Sequence, residues 1–210
     1  GSKVFNYRKR ARPRLIFNFN PFRKRKASKK AFIMPYVLGL MGWFASGKSK
    51  AAQFLAQRGF FEIDVDLVGK EALKACQNQI VSTFGQGILE NLAHSSFICP
   101  KKLGNIVFEN PKELLKLNHI VHPWIKKRVE EIILTCKKDK ILINAAILPQ
   151  IGLVPLCHCL LMIHASQNKI IKRGMKRNGF SAKKIKSILL NQKKYNDYFK
   201  TADVIIKNNN

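Results

Sequence analysis

Within GWFASGKSK, Gly42-x-x-x-x-Gly47-Lys48-Ser49 places two glycines, a lysine and a hydroxyl at the spacing of a phosphate-binding loop. Successive backbone N–H groups of such a loop converge on an anion, and the helix that follows adds partial positive charge. Lys48 then reaches the outer phosphates and the Ser49 hydroxyl is the Mg²⁺ ligand. Further along, FFEIDVD reads as a strand ending in Asp64 and Asp66, whose spacing of two puts both carboxylates on one side. A carboxylate there can take a proton from an attacking hydroxyl or organise Mg²⁺ through water, while a helix N-cap is the plainer use. Arg173 and Arg177 lie one turn apart on a basic helix, suited to neutralising phosphate charge or simply to facing solvent.

Other chemistry-bearing groups carry less. His119 and His122 are spaced for one helix face, but Pro123 is expected to start a new helix and so breaks a metal-ligating arrangement. Five cysteines without a C-x-x-C pair argue against a disulfide framework or zinc ribbon. Cys157-His158-Cys159 with His164 sits in an apolar run, where alternate residues face opposite sides of a strand.

Positioning this loop requires a strand before it and a helix after it. PYVLGLM supplies the apolar strand, and SKAAQFLAQRG the helix, closed by Gly59. LVGKEALKACQNQIVSTFG is expected to continue as one helix to Gly85, and NPKELLKLNHIVHPWIKKRVEEIILTC as two helices divided at Pro123. KILINAAIL and HCLLMIHA read as two further strands, QNKIIKRGMKRNG as a helix stopped at Asn178-Gly179, and SAKKIKSILLNQKKYNDYF as a helix capped by Ser181. DVIIK is a last short strand. Strands alternating with helices make a parallel sheet covered on both faces, an α/β architecture. Residues 141–165 lack any Asp, Glu, Lys or Arg and are long enough for a membrane span, but Pro149, Gly152 and Pro155 split the run into two buried strands.

The charge is uneven. Residues 1–34 hold twelve Lys/Arg and no acid, leaving 27 Lys/Arg against all 12 acids in 35–210, within a total of +27. Gly1-Ser2 reads as a cloning scar and Met34 as the natural start; a transit peptide or nucleic-acid-binding arm is the other reading of the basic segment. A poorly ordered arm is expected.

Taken together, LGLMGWFASGKS, FFEIDVDLVGKEAL, FGQGIL, KKLGNIVFENPKELLKLNHIVHPWI, IIKRGMKR and Gln192 with ADVIIKNN resemble the dephospho-CoA kinase family across about residues 35–208. The resemblance implies a P-loop, nucleoside-monophosphate-kinase-like fold with a helical CoA-binding insertion over about 68–136 and a lid over about 172–184. It implies transfer of phosphate from ATP, with Mg²⁺, to the ribose 3′-hydroxyl of dephospho-CoA in the cytoplasm, with no membrane. By the same resemblance Asp66 matches the general base and Ala45, Ser46, Gly47, Lys48, Ser49 and Lys50 the ATP loop. Arg173 and Arg177 match lid arginines, Asn208 the turn near adenine, and His122-Pro123 the His-Pro of the CoA-binding part, with Asp64 beside the acceptor. The chain departs from the family where Trp43, Phe44 and Ala45 replace small or aliphatic residues, so that their side chains must point away from the phosphates. Lys50 replaces a threonine, and Asn144 and Gln150 stand where acids are usual; the family normally continues beyond the position of Asn210 with a closing helix. Two other functions fit parts of the pattern: a kinase of another small hydroxyl acceptor such as a nucleoside monophosphate, and a basic nucleic-acid-binding protein on the same scaffold.

Overall fold

The computed structural model describes residues 6–7, 34–92, 95–193 and 198–209. Its elements in chain order are β1 (Asn6–Tyr7), β2 (Tyr36–Gly42), α1 (Lys48–Ala56), β3 (Phe61–Asp64), α2 (Val65–Ala75), α3 (Gln77–Phe84), β4 (Leu89–Leu92) and β5 (Ser95–Ile98). There follow α4 (Pro100–Glu109), α5 (Pro111–Thr135), β6 (Lys140–Asn144), α6 (Leu148–Ile151), β7 (Cys159–His164), α7 (Gln167–Asn178), α8 (Ala182–Lys193), α9 (Tyr198–Thr201) and β8 (Val204–Lys207).

The chain packs as two compact units, residues 64–132 and the remainder. In the larger unit six strands are ordered β1-β8-β7-β2-β6-β3. Strand β2 lies at the centre, parallel to β6 and β7, with Leu40 opposite both Asn144 and Leu161. A strand covered on both faces reads as an unbroken apolar run, and Val37 to Met41 are all buried. Leu40, Ile141, Leu142, Ile143 and Leu160 are fully enclosed, each contributing about 1.5–3 kcal/mol of burial. The uncharged run 141–165 is accordingly two sheet strands joined by α6 and a 3₁₀ turn. No helix among the described residues is long and apolar enough to cross a membrane. The sheet's outermost strand, β1, pairs antiparallel with β8; the rest of the basic segment and its expected disorder lie outside the described residues, as do residues 194–197 of the expected last helix.

The unit 64–132 differs from the sequence expectation in three places. Helix formation stops at Cys76, so 65–84 is two helices rather than one. Residues 89–92 and 95–98 form a two-stranded antiparallel ribbon, β4–β5, where no strand was expected. The expected break at Pro123 is absent: α5 runs unbroken from Pro111 to Thr135 with Pro123 inside it. Proline forfeits one helical hydrogen bond and crowds the carbonyl of His119, but both residues are on the exposed side, where water can satisfy that carbonyl. On the opposite side Val121, Ile125 and Val129, spaced by four, are buried, and their packing outweighs the lost bond.

Candidate active site

The loop between β2 and α1 is built by a turn in which the Ser46 N–H donates to the Trp43 carbonyl at 3.1 Å. Gly47 follows with φ 105°, a conformation L side chains avoid, and serves as the N-cap of α1. No side chain caps α1 and its first turn contains no acid. The first N–H groups and the positive end of the helix dipole therefore meet no carboxylate from their own cap or first turn, which suits an anion site.

Distant residues fix the loop's other side. The Asn208 side-chain amide donates to the Ser46 carbonyl at 2.9 Å. Arg173 donates to the carbonyls of Ala45 and Ser46 at 3.4 Å each and to that of Asn208 at 3.0 Å. Asn208 is itself anchored by its N–H on the His164 carbonyl at 2.7 Å. Trp43 meets the His164 ring edge-on and Phe44 stacks on Phe180. With Ala45, these two side chains pack on the cluster of Ala165, Ile170, Ile185 and Leu189 from the α7–α8 region. Bulk at positions 43–45 is thus accommodated in a core. Ser46 is fully buried, and its Oγ has no partner among the described residues. Burial, together with the Lys207 charge, pushes His164 below the usual imidazole range.

Lys48 opens α1, and its ammonium donates to Asn144 Oδ1 at the carboxyl end of β6. The Asn144 amide nitrogen in turn donates to the Glu62 carboxylate on β3. Sequence reasoning singled out Asn144 but passed over Glu62. The available signal was the alternation in FEID, which puts Glu62 on the same face of the strand as Asp64, opposite buried Ile63. Ser49 and Lys50 are exposed on the first turn of α1. An exposed hydroxyl next to Lys48 suits Mg²⁺, which keeps several waters and takes one or two protein oxygens beside phosphate oxygens.

Asp64 and Asp66 do not share a strand face as expected. Strand β3 ends at Asp64, and Asp66 is already in the first turn of α2. The Asp64 carboxylate accepts the Asp66 N–H at 2.9 Å, an N-cap that satisfies an otherwise orphaned helix donor. Asp64 is thereby partly committed to the backbone, whereas Asp66 is exposed. Both, with His122 on α5, belong to the unit 64–132. His122 is half-buried, and its neighbour His119 holds the Leu115 carbonyl through Nδ1 at 2.8 Å. Arg177 is exposed and donates to the Asn178 side chain at 3.2 Å, while Arg173 is directed at the loop. Among the described residues no group of three or more His, Cys, Asp or Glu is arranged to hold a metal ion. Cys157 is buried and turns its thiol to the Leu153 carbonyl, and His158 instead accepts the Val37 N–H at 3.0 Å.

A family model described as dephospho-CoA kinase matches residues 36–210. A dephospho-CoA kinase from Fusobacterium nucleatum is 37% identical over 82% of this chain and 89% of its own. One from Lactobacillus johnsonii is 32% identical over 83% and 90% of the two chains. Among solved structures, a dephospho-CoA kinase from Campylobacter jejuni superposes with TM-score 0.58 at 26% identity, covering 83% of this chain and 88% of its own. A Thermus thermophilus protein shares the fold with TM-score 0.72 at 22% identity, covering 84% and 90%.

Proposed function

The chain belongs to the dephospho-CoA kinase family, and on that footing we propose that it transfers the γ-phosphoryl group of ATP to the ribose 3′-hydroxyl of dephospho-CoA. The observation that carries this reading is the family match over residues 36–210, which takes in both the phosphate loop and the Asp64–Asp66 segment.

In the proposed reaction the uncapped N-terminus of α1 and the loop N–H groups hold the phosphates of ATP, and Lys48 places its ammonium on the outer ones. The acceptor hydroxyl oxygen attacks the γ-phosphorus in line as the bond to the ADP oxygen breaks. Asp66 takes the hydroxyl proton, for which an exposed carboxylate in the first turn of α2 is suited. Asp64, as N-cap of α2, holds Asp66 at that turn. Mg²⁺, held by Ser49, supplies Lewis-acid neutralisation of the phosphate oxygens when bound. Arg173 fixes a positive charge against the loop carbonyls, and Arg177 extends the basic face of α7. Asn208 sits beside Gly47, a position that suits a turn next to the adenine. His122 contributes to binding of the CoA portion. Most of the rate enhancement then comes from positioning and charge stabilisation, with little covalent chemistry left to the protein.

The test is ADP formation that requires dephospho-CoA. ATP turnover that is indifferent to dephospho-CoA but stimulated by a nucleoside monophosphate would replace this acceptor with another.

A further inference from the structure

We infer that Glu62 is a positioning residue for the phosphate-binding lysine, acting through Asn144. This rests on the reading of Lys48 as the lysine that meets the nucleotide's outer phosphates.

The three side chains come from separate elements: Lys48 from the start of α1, Asn144 from the end of β6, Glu62 from β3. They form one directed chain, in which the Lys48 ammonium donates to Asn144 Oδ1 and Asn144 Nδ2 donates to Glu62 Oε1. The direction follows from chemistry. An ammonium can only donate and a carboxylate can only accept, so an amide between them has one orientation that satisfies both. Asn144 is 6% exposed, which leaves its amide little access to solvent. Without Glu62 the buried Nδ2 loses its acceptor, and the amide that fixes Lys48 is no longer held from behind. Asn144 itself carries no charge. Glu62 therefore supplies the negative charge at the far end of the chain and balances the ammonium through the intervening amide. Its carboxylate accepts from Asn144, and its effect on turnover passes through Lys48.

A carboxylate at position 144 can accept from Lys48 directly and needs no orienting partner. Joined to an intact Glu62, however, it puts two carboxylates at hydrogen-bond distance, where like charges disfavour each other. The prediction is therefore a rescue between two changes that are each harmful alone. Glu62→Ala lowers kcat/KM for ATP by about tenfold, the scale of one charge-assisted hydrogen bond, with KM for dephospho-CoA unchanged. Asn144→Asp lowers it by a similar factor of about ten, on the same scale. The double variant Glu62→Ala with Asn144→Asp returns to within about threefold of the parent, because the ammonium then faces an adjacent carboxylate with no second carboxylate crowding it.

The experiment is this four-way cycle of ADP release, with melting curves of all four proteins and ATP affinity by titration calorimetry. A Glu62→Ala protein as active as the parent overturns the inference. So does a double variant no better than Glu62→Ala, since a merely structural role at the sheet edge cannot be rescued from position 144. If the parent binds ATP without turnover, the proposed reaction fails, and the same cycle read in ATP affinity still decides the role of Glu62.

Discussion

Gly47→Ala tests whether the loop conformation is set by the contacts described above. At φ 105° an alanine Cβ costs about 1–2 kcal/mol in backbone strain alone. The new methyl also runs into the Asn208 side-chain amide, which cannot retreat freely while it holds the Ser46 carbonyl and its own N–H holds His164. Overpacking of this kind costs a further ~1–3 kcal/mol, so the expected total is about 2–5 kcal/mol. Asn208→Ala alone removes the hydrogen bond to the Ser46 carbonyl and the longer one, at 3.5 Å, that Asn208 Oδ1 accepts from Arg173, together about 1–2 kcal/mol. In the double variant the colliding amide is gone, and only backbone strain and the two lost hydrogen bonds remain. The two substitutions should therefore be non-additive, the double being more stable than the sum of singles by about 1–3 kcal/mol. Urea unfolding followed by the fluorescence of Trp43, which packs at the loop against His164, measures all four proteins in a Trp124→Phe background. Additivity within about 0.5 kcal/mol, the spread typical of independent sites, would refute the steric part of the reasoning. A cost below about 1 kcal/mol for Gly47→Ala would refute the strain.

His164 titrates below the ordinary histidine value because of burial and Lys207, so the folded chain binds its proton less readily than the unfolded chain. The sign follows: its contribution to stability is intact above about pH 6.5 and falls as pH drops toward the folded value. His164→Asn should flatten the slope of unfolding free energy between pH 7.5 and 5; an unchanged slope would place the titration elsewhere. Pro123→Ala restores a helical N–H at an exposed position of α5 and should raise stability by about 1–3 kcal/mol, read by Trp124 fluorescence in a Trp43→Phe background. A loss of stability there would mean that the proline shapes the helix rather than being tolerated by it.

The sheet was legible because its strands are apolar runs punctuated by glycine and charge, and the loop because Gly47, Lys48 and Ser49 follow such a run directly. Helix α7 ends at Gly179 in the left-handed conformation, as Asn178-Gly179 foretold. Where local rules misled, a nonlocal force decided. Pro123 is a helix boundary by local sterics, but the buried stripe of Val121, Ile125 and Val129 carries α5 through it. Asp64 and Asp66 fit a strand alternation and a helix cap equally well on paper, and the unsatisfied N–H of a starting helix selected the cap. Short strands β4 and β5 carry too few residues for a periodic signal. Glu62 was missed for another reason: its partner Asn144 is 82 positions away, and side-chain pairing across neighbouring strands leaves no mark in local sequence. The bonds of the Arg173 guanidinium to the loop's own carbonyls are likewise unmarked in local sequence.

In the proposed reaction, phosphoryl transfer to the acceptor hydroxyl depends on Asp66 as base. ADP release from ATP and Mg²⁺, with and without dephospho-CoA, for the parent chain and for Asp66→Asn, measures that directly. The expected result is dephospho-CoA-dependent ADP release that falls by about 10²–10⁴-fold in Asp66→Asn at similar ATP affinity, the range for loss of a general base. ADP release that ignores dephospho-CoA, or an Asp66→Asn protein as fast as its parent, would contradict it.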